Sequence, residues 1–154
     1  MTHMHGSKVK LAIGDTDGLI ALIYAKDINH KSAFAIVKKC YEKGIMIAYP
    51  AAIIAEAITT LTRKFKQDHI ARVILEQIGD DSPLKIIETS SEIIKNARKL
   101  FDLKSSRKDT FFDAIVAATA FQEGTDLIFS FDGYYKKIGL TLTQSLFGIT
   151  GKKI

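Results

Sequence analysis

An apolar run leads directly into acidic side chains in the stretch Val9-Lys10-Leu11-Ala12-Ile13-Gly14-Asp15-Thr16-Asp17-Gly18. The apolar part predicts a strand over residues 9–14, because a short continuous apolar run fits a strand that is covered on both faces. A helical pattern begins at about Gly18. Asp15 is therefore expected at the carboxyl end of the first strand.

The same alternation of short apolar runs and helical segments continues along the chain. Further strands are predicted over residues 45–49, 84–88, 126–131 and 140–143, and helices over 29–43, 50–66, 67–78, 89–102 and 106–123. Thr89 with Glu92, and Ser106 with Asp109, match the capping box that opens a helix. Strands separated by helices pair in parallel through right-handed crossovers. We therefore predict an α/β three-layer sandwich around a central, mainly parallel sheet of about five strands.

The composition of the 154 residues is typical of a folded domain, with 47% hydrophobic and 25% charged residues. We predict one domain over residues 8–154. The leader, residues 1–7, has no apolar core and is typical of an expression tag. No apolar run approaches the roughly 18 residues that a membrane span needs, so no membrane association is expected.

The single cysteine, Cys40, is predicted to be buried, because it shares an apolar helical face with Ala33, Ile36, Val37 and Tyr41. One thiol excludes an internal disulfide framework and a cysteine-based zinc site. The expected location is the reducing cytoplasm.

Four carboxylates stand in positions that are unusual for surface acids. Asp15 and Asp132 directly follow predicted strands, while Glu56 and Asp113 lie in apolar helical segments. An ionised carboxylate among apolar neighbours is costly unless a partner or a metal neutralises it. In a parallel sheet these positions can face one edge, where such folds bind ligands. An all-oxygen cluster suits Mg²⁺ or Mn²⁺ rather than zinc.

The charge balance suggests what such a metal site acts on. The chain carries 22 Lys and Arg against 17 Asp and Glu, a net charge of +5, which attracts polyanions. Hydrolysis of a phosphodiester explains both an acidic metal site and a basic surface. Phosphate contacts are predicted, beside the alternative of ordinary solvated charge, for Arg63, Lys64, Lys104, Arg107 and Lys108.

Four motifs in this order resemble those of the PIN-domain ribonucleases, and in particular the VapC-type toxins of prokaryotic toxin–antitoxin pairs. Residues 11–17 are similar to the first motif, an apolar strand ending in Asp-Thr or Asp-Ser. Glu56 matches the family's glutamate, and residues 113–120 match its Asp at the start of an alanine-rich helix. Ser130-Phe131-Asp132, with Tyr135 where an aromatic residue is usual, resembles the last motif.

The resemblance covers about residues 8–143 and implies a metal-dependent endoribonuclease that is usually a homodimer. It assigns Asp15, Glu56, Asp113 and Asp132 as the catalytic acids that hold Mg²⁺ or Mn²⁺. In the toxin subset a cognate antitoxin covers or enters the acidic groove.

Other polar residues near these acids are candidates for supporting roles: Thr16, Asp17, Asp109 and Ser130. Asp17 departs from the family pattern, which commonly has Asn or Ser there, so it is a candidate for an extra metal ligand or for a different chemistry. Asp109 is a candidate for a supporting acid or for a helix cap.

Two other functions are compatible with parts of the sequence. Asp15-Thr16-Asp17-Gly18 resembles the first motif of haloacid-dehalogenase-type phosphatases, in which Asp15 would be the nucleophile and Asp17 a general acid. That family expects Thr or Val where Leu19 stands, and it leaves Glu56 without a role. The second alternative is a non-catalytic PIN module that binds RNA or protein, although such a module would be expected to have lost some of the acids.

Overall fold

The computed structural model describes residues 9–101 and 109–152. Within them, five strands form one parallel sheet, and they are β1 (Lys10–Gly14), β2 (Ile45–Pro50), β3 (Lys85–Ile87), β4 (Leu127–Phe129) and β5 (Thr141–Leu142). The sheet order is β3-β2-β1-β4-β5. The predicted leader lies outside the described residues.

Helices connect and flank the strands. They are α1 (Thr16–Ile23), α2 (His30–Glu42), α3 (Ala51–Thr59), α4 (Asp68–Glu76), α5 (Ser91–Leu100), α6 (Phe111–Glu123), α7 (Tyr134–Lys137) and α8 (Thr143–Phe147) in the described ranges. A π-helical turn, Thr60–Lys64, extends α3. None of the helices in the described part of the chain is long and apolar enough to span a membrane.

The order of the strands determines where a ligand can bind. The chain proceeds outward from β1 through β2 and β3, and then returns to place β4 and β5 on the other side of β1. The order therefore reverses between β1 and β4, which creates a crevice beyond their carboxyl ends. Gly14 is paired with Phe129, and the Asp15 amide donates to the Phe129 carbonyl at 3.0 Å. The residues that follow β1 and β4 are thus direct neighbours.

Two hydrophobic clusters support this edge of the sheet. Ala12 and Ile13 of β1 and Ile128 of β4 are fully buried in the main cluster. A smaller cluster joins α5 to α6 through Ile93, Ala97, Ala114, Ile115 and Ala118. The alanine-rich side of α6 lets the helices approach closely, and this contact holds the first turn of α6 in place.

The predicted fold class is confirmed, whereas several local details were wrong. The cap of α5 is Ser90, whose Oγ accepts from the Ile93 amide at 3.2 Å, and not Thr89. Thr89 Oγ1 instead accepts from the Ala52 amide at 3.1 Å, because its hydroxyl faces the start of α3. Adjacent hydroxyl residues are equally able to cap, so only tertiary contacts select between them.

The other differences concern the ends of elements. Helix α1 begins at Thr16, earlier than predicted, because Asp15 caps it. Helix α6 begins at Phe111 with Thr110 as its cap, and the predicted cap at Ser106 lies outside the described residues. Cys40 is buried as predicted, but Tyr41, which was placed on the same apolar face, is 86% exposed near the end of α2.

Candidate active site

Asp15 lies at the centre of the crevice, immediately after β1. Its Oδ1 accepts from the Thr16 amide at 2.7 Å, and its Oδ2 accepts from the Tyr135 hydroxyl at 2.5 Å. Burial raises the pKa of Asp15 well above its ordinary value, and the negative charge of Asp17 raises it further. The ionised form of such a buried carboxyl group is favourable only when a nearby positive charge stabilises it.

Glu56 comes to the same place from α3. That helix begins directly after β2, so its second turn stands beside the carboxyl edge of the sheet. Thr16 Oγ1 donates to Glu56 Oε2 at 2.9 Å, which joins the first motif to the glutamate. Burial raises the pKa of Glu56 as well.

Asp113 occupies the first turn of α6, where its carboxylate also closes the start of the helix. The Thr110 amide donates to Asp113 Oδ2 at 2.8 Å, and Thr110 Oγ1 accepts from the Asp113 amide at 3.4 Å. This reciprocal pair is a capping box, and it orients the side chain. Burial, followed by the charge of Asp15, raises the pKa of Asp113 from 3.8 to about 7.

Asp132 is carried by the turn after β4. Its amide donates to Ser130 Oγ at 3.0 Å, and its Oδ1 accepts from the Tyr134 amide at 2.9 Å. Asp17 contacts the same turn, since its Oδ2 accepts from the Phe131 amide at 2.9 Å. Burial raises the pKa of Asp17 to about 6.

The donor set fits a hard divalent cation. Asp109, Asp113 and Asp132 each offer an oxygen, and these oxygens lie within 4.8 Å of one another. Asp113 also experiences the charges of Asp15 and Glu56. The only ion pair among residues 9–101 and 109–152 joins Lys39 to Glu42, so no described Lys or Arg neutralises the cluster. Clustered carboxylate oxygens without a cationic partner have the chemistry of a site for a metal such as Mg²⁺.

The structure brings most of the predicted site residues to this one edge. The four main acids, with Thr16, Asp17, Asp109 and Ser130, are linked there by hydrogen bonds or by mutual charge effects. Asp109 lies with Asp113 and Asp132 and does not cap α6, whose cap is Thr110.

Arg63 and Lys64 are exposed on the π-helical turn, and neither forms an ion pair with a described acid. The predicted contacts Lys104, Arg107 and Lys108 lie outside the described residues.

Sequence reasoning missed the hydrogen bond from Tyr135 to Asp15. The sequence marks Tyr135 only as an aromatic residue close to the last motif, whereas the structure buries it completely. A buried Tyr generally needs a partner for its hydroxyl, and that requirement was the available signal. The partner itself is 120 positions away along the chain and could not be chosen without the fold.

The chain belongs to the PIN-domain family, because the sequence model of the PIN domain matches residues 13–140. The predicted family resemblance is confirmed. The prediction of a metal-dependent ribonuclease is likewise confirmed, at the level of the PIN-domain family. No curated protein gives a significant sequence match.

Solved structures share the fold at low sequence identity. The sarcin–ricin loop-cleaving toxin VapC20 of Mycobacterium tuberculosis is 18% identical, with a TM-score of 0.71 over 86% of this chain and 97% of that one. VapBC2 of Rickettsia felis, bound to promoter DNA, is 19% identical with a TM-score of 0.63 over 86% and 96%. A toxin–antitoxin complex from Klebsiella pneumoniae is 19% identical with a TM-score of 0.54 over 93% and 99%. These similarities establish the architecture.

Proposed function

We propose that this protein is an endoribonuclease that hydrolyses RNA phosphodiester bonds in the crevice beyond β1 and β4. Its metal would be Mg²⁺ or Mn²⁺, held by Asp15, Glu56, Asp113 and Asp132. The observation that carries the proposal is a cluster of carboxylates at the point where strand order reverses in a PIN fold. Two of these acids, Asp15 and Asp113, are buried, and no described cation pairs with the cluster. We treat residues 8–154 as one nuclease domain.

The side chains around the acids prepare the site. The Tyr135 hydroxyl and the Thr16 amide hold the two oxygens of Asp15, and the Thr16 hydroxyl holds Glu56. The Thr110 amide holds one oxygen of Asp113, and an oxygen of Asp113 lies within 4.8 Å of oxygens of Asp109 and Asp132. When bound, a divalent cation lowers the pKa of water and stabilises charge on the phosphate oxygens. Because the ligands are already oriented, little reorganisation is needed for binding.

The basic part of the chain would hold the RNA backbone. Exposed Arg63 and Lys64 follow the helix that carries Glu56, and no carboxylate in the described ranges pairs with them. We propose backbone contacts for these two residues and for Lys104, Arg107 and Lys108. Contacts of this kind provide affinity without sequence selection.

We further propose that the protein is the toxin of a toxin–antitoxin pair and that it forms a homodimer in the cytoplasm. The similarity to VapC20, to VapBC2 and to a toxin–antitoxin complex supports an antitoxin partner. Antitoxin binding at the acidic groove would explain how a cell tolerates the nuclease. The single free cysteine is compatible with a reducing compartment.

The phosphatase alternative is not favoured by the contacts of Asp17. A general acid must be free to reach a leaving group, but Asp17 Oδ2 accepts from the Ser130 hydroxyl at 3.0 Å and from the Phe131 amide at 2.9 Å. The phosphatase reading also leaves the bond between Thr16 and Glu56 without a purpose.

The test is cleavage of end-labelled structured and single-stranded RNAs with Mn²⁺ or Mg²⁺, compared with EDTA. Asp113→Asn is expected to abolish cutting yet keep the fold, because the amide oxygen of Asn still accepts from Thr110. Asp126→Asn is the matched control, since Asp126 is exposed at the opposite end of β4. Cleavage that persists in EDTA or in folded Asp113→Asn would refute the metal site. RNA binding without cleavage under either metal would favour a binding module.

A further inference from the structure

We infer that Asp17 is a positioning residue for Asp132: it fixes the turn after β4 that brings Asp132 into the crevice. The inference rests on the proposed function and adds a role for the one residue that departs from the family's first motif. Asp17 belongs to α1, and Asp132 follows β4, so the contact joins two separate elements of the sandwich.

One oxygen of Asp17 accepts two donors from the turn. Asp17 Oδ2 lies 3.0 Å from Ser130 Oγ and 2.9 Å from the Phe131 amide. Ser130 Oγ in turn accepts from the Asp132 amide at 3.0 Å. The carboxylate therefore holds the Phe131 amide directly and reaches the Asp132 amide through the Ser130 hydroxyl.

The hydroxyl of Ser130 has a single proton, so it donates its main hydrogen bond to only one of the two nearby acids. Ser130 Oγ is 3.5 Å from Asp15 Oδ2 but 3.0 Å from Asp17 Oδ2, so the shorter contact takes the proton. Asp15 already has the Tyr135 hydroxyl on the same oxygen. Asp17 is thus the principal acceptor of the Ser130 hydroxyl, and Asp15 stays available to a cation.

The approach of α1 to β4 depends on Gly18. A Cβ at this position would lie 2.7 Å from the Phe129 carbonyl oxygen, closer than ordinary contacts allow. Without that side chain, the first turn of α1 lies against the end of β4, and Asp17 can reach the amide of Phe131. Asp17 and Gly18 therefore act together: Asp17 binds the turn after β4, and the missing side chain of Gly18 allows α1 to come close enough for that contact.

The side chain at position 17 needs an acceptor of this length. Asn would present its amide oxygen to the same two donors, whereas Ala would leave the Phe131 amide and the Ser130 hydroxyl without this partner. Gln144 also supports the turn, because its side-chain amide donates to the Ser130 carbonyl at 2.9 Å. Gln144 fixes residue 130 but does not contact the Asp132 amide.

The experiment compares wild type, Asp17→Ala, Asp17→Asn and the control Asp126→Ala. Asp126 also accepts from a hydroxyl, that of Thr141 at 2.9 Å, but at the amino end of β4. Mn²⁺ affinity is measured by calorimetry without RNA, and kcat and KM are measured on a cleavable RNA. Asp17→Ala is expected to lose about 10- to 100-fold in Mn²⁺ affinity and in kcat with little change in KM. Asp17→Asn should recover most of that loss, and Asp126→Ala should resemble wild type.

A second measurement separates positioning from a general loss of stability. Hydrogen exchange of the Phe131 and Asp132 amides in the metal-free protein should accelerate in Asp17→Ala, while amides of β2 stay protected. If Asp17→Ala does not fold, Ser130→Ala tests the same link, because it removes the bridge between Asp17 and the Asp132 amide. Ser130→Ala is then expected to weaken Mn²⁺ binding and expose the Asp132 amide.

Two results would overturn the inference. One is a folded Asp17→Ala protein with the Mn²⁺ affinity, kcat and amide exchange of Asp126→Ala. The other is an Asp17→Asn protein as impaired as Asp17→Ala, since that would assign the effect to charge and not to the accepted hydrogen bonds. A wild-type protein that neither binds Mn²⁺ nor cleaves RNA would instead refute the proposed function, and this inference would fall with it.

Discussion

The two ends of β4 use similar residues for different purposes. At the amino end, exposed Asp126 accepts from Thr141 at 2.9 Å, and Thr125 Oγ1 donates to the Leu11 carbonyl at 2.6 Å. At the carboxyl end, Ser130 and Asp132 join a group of acids that includes buried Asp15 and Asp113. The amino end has one exposed acid that pairs with one hydroxyl, whereas the carboxyl end gathers several acids, two of which are buried. Burial and clustering, and not residue type, therefore distinguish a structural turn from a reactive one.

The largest effect that would test this difference is expected for Asp15→Asn. Losing one ligand charge should reduce kcat about a thousandfold, because a bound metal supplies several kcal/mol of transition-state stabilisation. The metal-free protein should become more stable, since the repulsion from Asp17 and Glu56 is relieved. RNA cleavage measures the change in kcat, and urea unfolding in EDTA measures the stability of the metal-free protein. Asp126→Asn should change neither, and equal effects at both ends of β4 would contradict the comparison.

The stability of the metal-free protein should depend on pH in a direction set by the carboxyl edge. The pKa of Asp113 is raised to about 7 and that of Asp17 to about 6, both from 3.8, so the folded state holds these protons more tightly. Their stabilising contribution is present below pH about 4 and is lost as the pH rises through about 6 to 7. Each proton that differs between the states gives a slope of at most about 1.4 kcal/mol per pH unit.

Urea unfolding in EDTA between pH 4.5 and 7.5 would measure this slope. Asp113→Asn should flatten it, and saturating Mn²⁺ should offset it because the cation replaces the protons. Stability that increases with pH across this window in the wild type would argue against buried, uncompensated acids.

Gly18→Ala would sharpen the comparison by moving α1 away from the end of β4. The added Cβ would lie 2.7 Å from a backbone oxygen, which cannot yield as a flexible side chain can. Overpacking of this kind should cost about 1–3 kcal/mol of unfolding free energy. Gly79→Ala is the control, since a Cβ there meets nothing within 4 Å. Equal denaturation midpoints for the two variants would show that the helix tolerates a wider gap.

Tyr135→Phe should give the smallest effect at the carboxyl edge. It removes the hydroxyl that Asp15 accepts and preserves the buried ring, so we expect a loss of about 1 kcal/mol in unfolding free energy. Mn²⁺ affinity should also fall, because Asp15 loses an orienting contact. Tyr41→Phe, at an 86% exposed position, is the control for removing a hydroxyl. Indistinguishable Mn²⁺ titrations of the two proteins would remove Tyr135 from the site.

Much of the fold could be predicted because its signal is local. Apolar runs of strand length alternate with helical patterns, and this alternation alone implies parallel strands with helical crossovers. The acids stood out because Asp15 and Asp132 follow apolar runs and Asp113 interrupts one. Helix caps were less predictable: Ser90 was chosen over its neighbour Thr89 by a contact with α3 that no local pattern contains.

The sequence by itself determined the order of strands and helices, the four candidate acids and the excess of positive charge. Periodic burial and the cost of an unpaired carboxylate act over a few residues and can be read along the chain. Only the tertiary structure decided which groups meet: Tyr135 with Asp15, Thr16 with Glu56, and Asp17 with the turn that carries Asp132. These partners lie 40 to 120 positions apart. A hydrogen bond depends on distances of a few tenths of an ångström, which are set by how the helices pack on the sheet and not by any local propensity.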